Sequence, residues 1–261
     1  MAQENSNPKL TFPRLRRFNI IMGFLHLVQG LAMIILSNDS TYPIYSSFLE
    51  LNIEKFQLVP RLDLFYELRF GPAVGAFLLI SAVAHFYLST VGYQSYVEKL
   101  KKNMNPIRFY EYAFSSSLMI VLIAMLVGIW DLISLIALFG INAMMNLFGI
   151  MMEYDNQGRE KVRWTSFIYG CIAGIIPWLA MAVSLYGSAV INDAAPPNFV
   201  YAIIVSLFLF FNSFAVNMYL QYKKVGPWKN YLFGERAYIV LSLVAKTALA
   251  WQIFAGTLAP V

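Results

Sequence analysis

Seven stretches of this chain, each about as long as a bilayer core is thick, carry almost no charge, and no other feature constrains the fold as much. They cover residues 18–36, 70–90, 106–128, 132–152, 166–189, 199–222 and 237–258. A helix needs roughly 20 predominantly apolar residues to cross the hydrocarbon of a membrane. The short alternating segments of a barrel are not what recurs here, so the pattern predicts an all-α membrane protein with seven transmembrane helices. Composition agrees: 59% of the residues are hydrophobic and 13% charged, too apolar for a soluble domain of 261 residues. No second domain, repeat or linker interrupts the pattern, and residues 1–261 read as one membrane domain. The basic run Arg14, Arg16, Arg17 precedes the first span without a small-residue cleavage site after it, which reads as an uncleaved anchor.

The basic residues are sorted by side. Lys9, Arg14, Arg16, Arg17, Lys99, Lys101, Lys102, Arg108, Arg159, Lys161, Arg163, Lys223, Lys224, Lys229 and Arg236 fall on one side, and Lys55, Arg61 and Arg69 on the other. The positive-inside rule makes the first side cytoplasmic, with the N-terminus inside and the C-terminus outside. It also accounts for the net charge of +5 without nucleic acid. The long outer connection after the first span has Tyr, Ile, Phe and Leu at partly alternating positions, which predicts a short β-hairpin over the helices. The single cysteine, Cys171, excludes an intrachain disulfide, and no Cys/His cluster suggests zinc. No nucleophile triad, metal cluster or phosphate loop is present, so the chain is not expected to be an enzyme.

Within the spans one charge of each sign remains, Lys246 in the seventh and Glu111 in the third. A mid-span lysine costs about 2.5 to 3.5 kcal/mol to insert, so it must find a partner or lose its charge. Lys246 lies ten residues after Arg236, about 15 Å along a helix, and its stem leans back toward the cytoplasmic half. Glu111, a turn into a span that starts on the same side, is within reach. Ser242 shares the lysine's helix face, Ser115 and Arg108 flank the carboxylate, and Ser81, His85, His26 and Gln29 add polar groups from the first two spans. An amine in an apolar site condenses with aldehydes to form a Schiff base, for which Glu111 would be the counter-ion. Tyr112, Met145, Trp178 and Phe211 offer the walls of an apolar slot for such a ligand.

Seven spans with these two charges resemble the retinal-binding rhodopsins, and the inside N-terminus narrows the resemblance to the heliorhodopsins. "RFYEYAFSSS" (108–117), "FNSFAVNMYLQYKK" (211–224) and "LSLVAKTALAWQ" (241–252) look like that family's third, sixth and seventh helices. The resemblance implies all-trans retinal on Lys246 as a protonated Schiff base, Glu111 as sole counter-ion, and Ser242 and Ser81 bonded around the pair. It adds Asn142 to the retinal-contact set of Tyr112, Met145, Trp178 and Phe211. It implies a polar, proton-accepting cavity of His26, His85, Arg108 and Gln29 on the cytoplasmic side, and a structural role for Glu153 and Glu235. It also implies an outer two-stranded hairpin, a homodimer in the cell membrane, and photoisomerisation to 13-cis with a slow photocycle. The outer halves of spans three, six and seven hold no carboxylate. A light sensor with a cytoplasmic signalling partner is therefore favoured over a light-driven proton transporter or channel.

Overall fold

A computed structural model describes residues 11–260; Lys9, assigned above to the cytoplasmic side, lies outside them. Among the described residues seven helices are long and apolar enough to cross a membrane, and they form a bundle with one two-stranded antiparallel sheet. In chain order the elements are α1 (Phe12–Leu36), β1 (Thr41–Asn52), β2 (Gln57–Arg69), α2 (Phe70–Ser89), α3 (Tyr93–Lys101), α4 (Pro106–Leu126), α5 (Leu132–Asp155), α6 (Thr165–Tyr186), α7 (Asn198–Tyr222) and α8 (Tyr231–Ile253). The third span of the sequence reading is therefore α4, and the seventh is α8.

Several boundaries differ from the apolar stretches. α1 begins at Phe12 with Pro13 in its first turn, so Arg14, Arg16 and Arg17 lie on the helix rather than before it. All three are exposed, and Arg16 Nε donates to the Ser89 carbonyl at 2.8 Å, tying this end of α1 to the end of α2. α8 likewise starts six residues early, at Tyr231, because Asn230 caps it by accepting from the Leu232 amide at 3.0 Å. α3 was not anticipated: it is short and amphipathic, burying Tyr96 and Leu100.

Helices in lipid gain little from burying apolar surface against each other, so close backbone approach and van der Waals packing hold them together. α1 and α2 cross at glycines. A Cβ on Gly75 would lie 2.9 Å from the Gly30 carbonyl oxygen, so a side chain there would push the helices apart. The half of the bundle nearest the sheet has a largely apolar core that includes Phe77, Met119, Ile123, Leu249 and Ile253.

The hairpin is longer than expected, pairing Thr41 with Arg69 through to Asn52 with Gln57 around a bulge at Ile44/Tyr45. Only its base docks on the bundle: Tyr42 stacks on Phe70, the Tyr45 amide donates to the Trp130 carbonyl, and Arg69 pairs with Asp39. Farther out, Phe48, Leu49, Ile53 and Phe56 are exposed. We call this the hairpin end and the opposite one, where the basic residues collect, the basic end.

Candidate functional site

Lys246 and Glu111 meet in the bundle interior. The lysine Nζ donates to Glu111 Oε1 and to Ser242 Oγ, both at 2.9 Å, and Ser81 Oγ donates to the same carboxylate oxygen at 2.6 Å. The side chains are 3% and 8% exposed, so water screens the charges little. Three helices thus converge on one ion pair: α8 supplies Lys246 and, one turn earlier, Ser242; α4 supplies Glu111; α2 supplies Ser81. The Tyr112 ring lies 5.0 Å from the lysine nitrogen, which adds a cation–π contact. Apolar residues would pack this position at less cost, so a buried pair is poor evidence of stabilisation and better evidence of use.

From Lys246 an apolar cavity of about 180 Å³ runs between α4, α5, α6, α7 and α8. Tyr112, Met145, Trp178, Phe211 and Ser242 all line it. Trp178 meets Phe211 edge-on at 5.6 Å, and Tyr112 meets Phe214 at 5.3 Å. Asn142 stands behind the wall instead. Its amide donates to Ser116 Oγ at 2.9 Å and Ser117 Oγ at 3.0 Å, while Asn146, one turn farther along α5, reaches the cavity surface. Gly174 keeps the slot open on α6, since a Cβ there would sit 2.6 Å from the Met145 sulfur.

Of the polar residues on the basic side of Lys246, His85 and Arg108 border one small cavity, and His26 stands behind His85. His26 and His85 stack at 5.4 Å, and His85 Nδ1 is 2.8 Å from Asn19 Oδ1; neither nitrogen of His26 has a partner among the described residues. Gln29 is not with them. It accepts from Trp251 Nε1 at 3.1 Å on the outside of the bundle, because three residues along a helix carry it about 60° around from His26. Arg108, in the first turn of α4, is turned into the bundle rather than toward solvent. Its guanidinium is buried and forms ion pairs with Glu153 and, on its other nitrogen, Glu235.

Those two carboxylates correct the count of one acid within the spans, since they are 2% and 1% exposed inside α5 and α8. Six donors satisfy them: the two terminal guanidinium nitrogens of Arg108, the Asn105 amide and side chain, and the hydroxyls of Tyr96 and Tyr231. A small cavity of about 30 Å³ lies between this cluster and the ion pair, bordered by Asn19, Ser81, His85, Arg108, Glu111 and Glu235 together with Leu88, Ile107 and Ile239. That is room for about two waters. Asn105 as N-cap and Pro106 in the first turn were the available signal that Arg108 starts a helix inside the bundle.

A membrane bundle of seven helices, with a lysine and carboxylate paired at one end of an aromatic-lined slot, defines a protein of the rhodopsin type. The heliorhodopsin family profile matches residues 15–258, and the chain belongs to that family of rhodopsin-like, light-responsive membrane proteins. No curated protein sequence matches it. Membership implies a retinal chromophore, and the residues present fit one: a buried amine at the slot's inner end, aromatic walls, and a glycine where a side chain would press on Met145.

Proposed function

We propose that this protein is a light sensor that holds all-trans retinal on Lys246 as a protonated Schiff base and signals rather than pumps. When bound, the retinal supplies visible absorption and an all-trans to 13-cis isomerisation that begins a slow photocycle. Glu111 is the sole counter-ion, holding the proton at the Lys246 nitrogen, while Ser81 and Ser242 fix both partners by hydrogen bonds. Tyr112, Trp178 and Phe211 orient the polyene, and the apolar wall excludes water.

One observation carries the choice of sensing over transport. Polar groups continue from the pair toward the basic end through the small cavity, whereas Met119, Ile123, Leu249 and Ile253 fill the hairpin half. The polar pair there, Ser206 and Gln252, bond to each other at 3.2 Å. A proton leaving Lys246 by way of Glu111 thus has His26 and His85 as candidate acceptors toward the basic end. A transporter needs protonatable groups on both sides.

In this reading the basic end is cytoplasmic and faces a signalling partner that binds the dark and lit states differently. The exposed hairpin residues Phe48, Leu49 and Ile53 suit a homodimer in the cell membrane. The test is voltage clamp of cells expressing the protein with retinal. No steady photocurrent at zero voltage is expected; a sustained one would establish a light-driven pump and defeat the sensor reading.

A further inference from the structure

No spacing or motif in the sequence marks Asn19, two turns into α1, yet it decides how a histidine beside the ion pair presents its base. Its side chain is fully buried. The amide nitrogen Nδ2 donates to the Leu15 carbonyl one turn back at 3.0 Å, and because a carbonyl only accepts, this contact fixes which way the amide faces. Asn19 Oδ1 is thereby turned on His85 Nδ1, 2.8 Å away. An amide oxygen also only accepts, so the hydrogen of this bond sits on Nδ1. A neutral imidazole holds one such proton, which leaves the lone pair of His85 on Nε2.

Among the described residues Asn19 is the one side-chain partner of the His85 ring, and His85 borders the small cavity beside Glu111. Ser81, which donates to Glu111 at 2.6 Å, precedes His85 by four residues on the same face of α2, so the ring stands about 6 Å farther toward the basic end than that contact. His26 stacks on the ring from α1, away from the cavity. The other charged groups at the cavity, Arg108 and Glu235, are paired with each other. Glu111 is bound to Lys246, so it is the group that changes partner when the lysine nitrogen gives up its proton. One or two waters in the cavity would join Glu111 to His85.

We propose that Asn19 is a positioning residue: by holding the Nδ1 hydrogen it sets His85 with Nε2 open to the cavity, which makes His85, and not His26, the first histidine to receive a proton that leaves Lys246. The N–H bond at the Lys246 nitrogen breaks, Glu111 takes the proton, and a cavity water passes it to Nε2. The ring becomes an imidazolium still bonded to Asn19, and Glu111 is again a carboxylate. The tautomer stands on its own; only the arrival of the proton rests on the light-sensing reading. The chain has two histidines, so NMR of the full-length protein carrying nitrogen and carbon isotopes in histidine resolves both rings. In the dark, the ring whose signals vanish in His85→Gln should carry its hydrogen on Nδ1. Asn19→Leu should move that hydrogen to Nε2, whereas Asn19→Asp, which keeps an acceptor in place, should hold it on Nδ1. Under illumination the wild-type ring should gain a second N–H. In Asn19→Leu, loss of the proton from Lys246, followed by transient absorption, should slow about tenfold because the ring must first change tautomer. A dark His85 ring with its hydrogen on Nε2, or one indifferent to Asn19→Leu, would overturn the part given to Asn19. A proton arriving on His26 instead would overturn the choice of acceptor. Absence of a visible band would refute the light-sensing reading and the transfer with it, and the dark tautomer would still decide the role of Asn19.

Discussion

Replacing Arg108 with glutamine should damage the protein far more than replacing either of the acids it binds. The cluster holds two carboxylates and one guanidinium, all almost fully buried, so the wild type already carries one negative charge in excess. Arg108→Gln leaves both carboxylates without a cation. Breaking a buried pair from one side costs about 3 to 5 kcal/mol. At about 2 to 4 °C per kcal/mol for a chain somewhat smaller than this one, the melting temperature should fall by roughly 6 to 20 °C. Glu235→Gln instead leaves Arg108 and Glu153 as a balanced pair, and the new amide still accepts from Tyr96 or Asn105. Its cost should be about that of one hydrogen bond, near 1 kcal/mol, or a few degrees. The double variant should melt above Arg108→Gln alone, because one uncompensated charge has been removed. Tryptophan fluorescence melts in detergent, at a fixed scan rate, measure all three. If Glu235→Gln were as damaging as Arg108→Gln, or the double variant gained nothing, the charge count would not be what governs this cluster.

Two further outcomes follow from the geometry. Gly174→Leu places a side chain where even a Cβ meets the Met145 sulfur at 2.6 Å, and it should reduce the yield of retinal-loaded protein at least tenfold, read as visible absorbance per unit of protein. The Tyr96 hydroxyl, in the short helix α3, has its pKa pushed well above 10, first by burial and then by the Glu235 charge to which it donates. The folded state therefore holds that proton after the unfolded chain has released it. Stability from this group is complete below pH 10 and declines as pH rises beyond it, and Tyr96→Phe should make the alkaline limb of a melting-temperature profile shallower.

The parts of this molecule legible in its sequence are those set by short-range or one-sided rules. Spans show as apolar length, and Lys246 stands out because nothing else in its segment is charged. Ser242 is legible as its i−4 neighbour, one turn away on the same face. The Arg108 cluster is of another kind. Its ion partners are 45 and 127 residues away in sequence, and each member sits at the edge of an apolar stretch, where a charge is ordinarily solvated. Only packing of α3, α4, α5 and α8 turns those edges into an interior. Gln29 and Asn142 show the opposite error. Each is a polar residue within a span, but a rotation of about 60° in one case and a second layer of serines in the other keeps it off the cavity surface.

The central claim is that Lys246 and Glu111 form the attachment point and counter-ion of a light-absorbing group. It is tested most directly by the absorption spectrum of the purified protein expressed with all-trans retinal, beside Lys246→Ala and Glu111→Gln prepared in the same way. A visible band in the wild type, absent in Lys246→Ala and shifted in Glu111→Gln, is the expected result. A band that persists in Lys246→Ala would place the chromophore elsewhere, and no band in any of the three would leave the buried pair a structural feature.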